Sequence, residues 1–165
     1  MCIRDRLIMT QLDYGSAVLA GLPSHLLNRL QSMLNAAAHL VCHARKYNHV
    51  THLLRNLYWL QVPERIQFRL AVLAFCCRNH KAPSYLADDR HCTDEAESRH
   101  RLRSGSCPRL IIPRTRLSTI GDRSFRVTVA QAWDSLLTNV TTSTSLPYFK
   151  RQLKTFLFTK SFPSL

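Results

Sequence analysis

Glycine is scarce in this chain. Four occur among 165 residues, each alone, so there is no glycine-rich loop to wrap a phosphate in backbone N–H groups. Acids are scarce too: 10 Asp and Glu stand against 23 Lys and Arg, which gives a net charge of +13 and a pI near 10.2. A surface of that charge repels itself unless it meets a polyanion, so nucleic acid is the first candidate partner and an anionic membrane surface the second. Long apolar runs are missing as well. The longest, Leu70 to Cys77, falls far short of the roughly 18 to 20 residues that span a bilayer, so no membrane span is expected, and of the two candidate partners nucleic acid rather than a membrane is the one expected. Residues 1–6 are charged with no signal-type apolar core after them, so secretion is not expected either. The six cysteines show no framework spacing and read as reduced thiols of an intracellular protein.

What the chain does have is apolar periodicity. Between Ser24 and Cys42, the residues Leu26, Leu27, Leu30, Met33, Leu34, Ala37, Leu40 and Val41 recur at three- and four-residue steps, predicting one helix with one apolar stripe behind Pro23. Residues 7–22 read as a helix that begins upstream, loosened at Gly15 and stopped by Gly21. Thr51 is placed to cap a short helix through Leu53, Leu54 and Leu57, followed by a bulky plug of Tyr58, Trp59 and Leu60, with Trp59 in the core. Pro63 opens a further helix with Glu64 in its first turn, and its apolar residues leave so little polar surface that it should be surrounded. It should end near Asn79 and Lys81, before a short turn with Tyr85 and Leu86.

From Asp88 the composition changes, with five acids and four arginines by Arg103, which predicts a mobile charged loop over 88–106. Leu110 to Ile112, Arg114 to Leu117, a turn at Gly121-Asp122, and Phe125 with Val127 suggest a two-stranded ribbon or extended arms. Residues 130–137 read as a helix with Trp133 inward, 138–144 as a loop, and Ser145 as the cap of a last helix. That helix has Leu146, Phe149, Leu153, Phe156 and Leu157 on one side and Lys150, Arg151 and Lys154 on the other. The expected fold is mainly α: a helical bundle-like body with a small β-ribbon or extended arm in the C-terminal third. Its expected divisions are 1–87, the loop 88–106, and 107–165 with short strands and two helices.

The short pieces Leu12-Asp13-Tyr14, Ala20-Gly21-Leu22-Pro23, Asn35-Ala36-Ala37-Ala38, Trp59-Leu60 with Val62, and Arg65-Ile66 occur in that order. Ala82-Pro83-Ser84-Tyr85-Leu86, Pro113-Arg114 with Arg116, Gly121-Asp122-Arg123 with Phe125, Trp133, and Phe149-Lys150 with Leu153-Lys154 follow. Together they closely resemble the C-terminal end of the reverse transcriptase polyprotein of jockey-like non-LTR retrotransposons, over about residues 7–158. The resemblance implies the region after the polymerase palm, with thumb helices and a C-terminal extension that hold template and primer. It implies an RNA-directed DNA polymerase fragment of nuclear setting, with the upstream palm domain and the RNA and DNA backbone as partners. The sequence departs from the family at Gly15 and Ser16, where Cys and Asn are usual, at Lys81, and at Gln131 and Leu137, as an old inactive copy would. Residues 1–6 match nothing in the family.

Reverse transcription needs paired carboxylates on two divalent metals, which the family supplies from an aromatic-x-Asp-Asp turn in the palm. Asp88-Asp89 imitates the pair, but Tyr85 lies one residue too far away and no strand pattern flanks it, so a solvated acidic loop is expected. No catalytic residue, resident metal or cofactor is therefore assigned, and the chain is expected to be inactive alone. Cys77, His80, His91, Cys92, His100 and Cys107 have zinc-ligand chemistry at poor spacing, against free thiols and surface imidazoles.

The remaining signal is basic. Arg99, Arg101, Arg103, Arg109, Arg114 and Arg116 lie between Ser98 and Gly121 without an acid, and Arg123 and Arg126 follow. The residues expected to touch nucleic-acid phosphates are Arg109, Arg114, Arg116 and Arg123, with Lys150, Arg151 and Lys154 as a second patch. A solvated basic face is the plain alternative for both. The competing functional class is a decayed or repurposed helical protein-interaction module, which calls for a contiguous exposed apolar patch.

Overall fold

In a computed structural model, the chain is described at residues 10, 11, 13–45, 47–79, 81–83, 86 and 121–163. These residues are mainly helical and contain no strand. A 3₁₀ turn at Ser16–Leu19 precedes α1 (Ser24–Val41), α2 (Val50–Asn56), α3 (Val62–Arg78), α4 (Phe125–Asp134), α5 (Thr138–Thr141) and α6 (Leu146–Ser161). Two compact units divide them, 1–69 with 151–165 and 70–150.

In the first unit, the expected N-terminal helix is interrupted where glycine permits it. Gly15 stands at φ 67 and Gly21 at φ 71, either side of the 3₁₀ turn. Helix α1 spans what the stripe predicts and packs against α2. The stripe itself is only partly covered. Leu34 and Ala38 are buried, whereas Met33 is 63% and Leu40 65% exposed, because the covered face is narrower than the run of apolar residues. Gln31 on α1 accepts the N–H of Val62 at 2.9 Å and donates to Asn35 Oδ1 at 2.8 Å. One of the N-terminal donors that α3 leaves unpaired is thereby satisfied from α1.

Scarce glycine has a visible consequence at helix ends. After α1, the Ala44 N–H reaches the His39 carbonyl and the His43 N–H the Leu40 carbonyl; after α2, Trp59 reaches Leu54 and Tyr58 reaches Arg55. This paired pattern closes a helix through a left-handed residue, normally glycine. Here the positions fall to His43 at φ 48 and Tyr58 at φ 53, each held at a cost of roughly 1–2 kcal/mol. His49, not Thr51, precedes the first turn of α2, and Thr51 lies inside it. Of the expected plug, Trp59 and Leu60 are buried, but the left-handed turn sends Tyr58 outward at 66% exposure.

In the second unit, Phe149 is fully buried, stacked on Phe75 at 4.4 Å between centroids and on Trp133 at 5.9 Å. Arg78 lies 5.7 Å over the Trp133 ring. Helix α4 starts five residues before the expected 130 and ends three before 137. Phe125 and Val127, read as extended, are in its first turns: their alternation is too short to distinguish a strand from the start of a helix whose next apolar residues are Val129, Ala130, Ala132 and Trp133. The buried Thr128 hydroxyl is satisfied by the carbonyls of Ser124 and Phe125, both at 3.1 Å. Part of the expected threonine-rich loop forms the single turn α5. The loop 88–106 and the arms over 107–120 lie outside the described residues.

Candidate nucleic-acid interface

Helix α6 positions the second basic patch. Phe149, Leu153 and Leu157 recur every four residues and are fully buried, which fixes the rotation of the helix about its axis. Lys150, Arg151 and Lys154 then fall outside that buried stripe, Lys150 beside it and Arg151 opposite, and all three are exposed. No salt bridge among the described residues involves any of them. The last acidic residue in the sequence is Asp134, so no Asp or Glu on α6 itself offers a carboxylate to this patch. Lys150 with Lys154, and Arg151 with Lys154, are like-charge neighbours one turn apart, each pair destabilising the helix by roughly 0.2–0.5 kcal/mol until an anion lies across them. Tyr148, 52% exposed, adds a ring one turn before Arg151.

Of the other expected contacts, Arg123 is exposed in the turn before α4, where the Ser124 N–H closes on the Gly121 carbonyl at 2.9 Å. Arg109, Arg114 and Arg116 lie outside the described residues, as do Asp88 and Asp89. So do all the scattered Cys and His candidates except Cys77, whose buried thiol donates to the Leu86 carbonyl at 3.7 Å. Among the described residues, no three Cys, His, Asp or Glu side chains gather closely enough to hold a metal ion. Nor is any described helix long and apolar enough to cross a membrane.

Not every arginine is available to a ligand. Asp13 holds Arg65 at 2.6 Å and Arg69 at 3.2 Å, so one carboxylate engages two guanidinium groups a helical turn apart on α3. A further cluster escapes sequence reading altogether. His52, Arg55, Asn56, Tyr58 and Phe158 line an open depression of about 560 Å³ in the first unit. The only trace of it in the sequence is the three-residue spacing of His52, Arg55 and Tyr58.

No protein-family model matches this chain, and no curated protein or solved structure does. The chemistry must be argued from its own residues. Lys150, Arg151 and Lys154 are three exposed cations without a carboxylate partner among the described residues, on a helix whose rotation is set by its own buried face.

Proposed function

We propose that the chain is the thumb and post-palm region of a non-LTR retrotransposon reverse transcriptase, and that it helps hold an RNA–DNA template-primer through backbone contacts. The observation that carries this reading is the exposed row Lys150, Arg151 and Lys154 on α6, unpaired among the described residues, in a chain of net charge +13. Phosphate contacts of this kind position a strand without reading its bases. Arg123 and the acid-free arginines Arg109, Arg114 and Arg116 extend the same chemistry along the sequence. The polymerising carboxylates belong to the palm upstream, in a nuclear protein, and this chain is inactive without them.

Some of the quoted pieces meet in the fold. Asp13 of Leu12-Asp13-Tyr14 pairs with Arg65 of Arg65-Ile66, and Trp133 stacks on Phe149 of Phe149-Lys150. The test is anisotropy titration of two RNA–DNA hybrids of unrelated sequence. The wild type should bind both within about twofold, and K150E/K154E should weaken both alike, as removal of a phosphate-binding cation does. A K150E/K154E variant that binds as the wild type does contradicts the reading.

One observation favours the second reading, a protein-interaction module. Met33 and Leu40 stand two turns apart on the same side of α1, both largely exposed, with exposed Ala36 between them. If that face is the functional surface, M33E/L40E abolishes partner binding; on the first reading it leaves hybrid binding unchanged.

A further inference from the structure

Tyr58 is exposed yet fixed. Its backbone is closed into the end of α2 by the N–H bonds of Tyr58 and Trp59, and its ring stacks on Phe158 at 5.4 Å with 25° between planes. Two thirds of the residue still faces solvent, at 66% exposure. A ring supported on one side and open on the other is a ready stacking platform, since every nucleobase presents a π-face to it. His43 is the other non-glycine residue in a left-handed helix end.

The surroundings of Tyr58 match a nucleotide in chemistry and size. Arg55, Asn56 and His52 are all exposed on the same short helix, and no carboxylate lines the depression among the described residues. Arg55 offers a forked set of donors suited to a phosphate, His52 a second nitrogen donor, and Asn56 both a donor and an acceptor for a base edge. The volume, about 560 Å³, lies within the roughly 300–1,000 Å³ of pockets that take small organic ligands.

We propose that this depression is a subsite for one unpaired nucleotide of a bound single strand, its base stacked on Tyr58 and its phosphate met by Arg55 and His52. The proposal rests on the nucleic-acid reading above and adds to it a contact that senses whether a base is present. Lys150, Arg151 and Lys154 contact only the backbone; Tyr58 distinguishes a strand with unpaired bases from a bare sugar-phosphate chain.

The test compares, by anisotropy with the full chain, a labelled single strand of roughly ten nucleotides with an abasic strand of the same length. The wild type should bind the base-bearing strand about tenfold more tightly. Y58L should lose that preference while binding the abasic strand as the wild type does, which also shows that it is folded, and Y58F should retain it. R55A should weaken both strands alike. A preference that survives in Y58L overturns the proposal, and so does displacement of the strand by AMP at equal nucleotide concentration, which would make the occupant a free nucleotide. A wild type that binds the abasic strand with full salt dependence but shows no preference for bases overturns this subsite alone; one that binds neither strand overturns the backbone reading as well.

Discussion

Asp13 Oδ1 lies 2.6 Å from Arg65 Nη2, joining the segment before the 3₁₀ turn to the first half of α3. Both side chains are partly shielded, at 27% and 13% exposure, and Arg65 Nε also donates to the same oxygen at 3.2 Å. Removing the carboxylate leaves a mostly covered guanidinium without its acceptor. D13A should therefore cost about 1–3 kcal/mol in denaturant unfolding. A D13A/R65A double-mutant cycle should show coupling of about 0.5–3 kcal/mol, whereas R69A alone, at 47% exposure, should cost under about 1 kcal/mol. Additive single effects at Asp13 and Arg65 contradict this pairing.

Phe149 touches both Phe75 and Trp133 and is fully buried, so truncating it empties the centre of the second unit. F149A should lose roughly 3–5 kcal/mol, a large share of the roughly 5–15 kcal/mol that holds a domain together. Thermal unfolding monitored by tryptophan fluorescence should record it, since Trp133 loses its neighbour. A variant as stable as the wild type contradicts the packing described.

His43 occupies a left-handed helix end with an exposed side chain. Glycine there removes roughly 1–2 kcal/mol of steric strain but returns about 0.4–1 kcal/mol of freedom to the unfolded chain. H43G should thus gain about 0.5–1 kcal/mol net, raising Tm by about 1–4 °C. A fall in Tm shows that His43 makes a contact worth more than its strain.

Much of the fold was legible because apolar spacing reports burial directly. The four-residue rhythm of Phe149, Leu153 and Leu157 gives the buried face of α6, and the cations between them fall outside it by geometry alone. The stripe of α1 names the right helix but overstates its contact, since Met33 and Leu40 share the periodicity and stay largely exposed. Phe125 and Val127 misled because two alternating residues satisfy either period. The depression at Tyr58 could not be read at all. It depends on a left-handed backbone at a residue where glycine is expected, and on Phe158, which lies far along the chain on another helix. Nor does the sequence reveal that Asp13 engages Arg65 and Arg69, because ion pairing between distant segments leaves no local pattern.

The central claim is that the α6 cations lie against a phosphate chain, and salt dependence tests it most directly. Log affinity for an RNA–DNA hybrid, measured against log salt concentration, should fall linearly in the wild type, and K150A/R151A/K154A should flatten that slope by about 2.7, about 0.9 for each phosphate no longer neutralised. An unchanged slope in the triple variant contradicts the account.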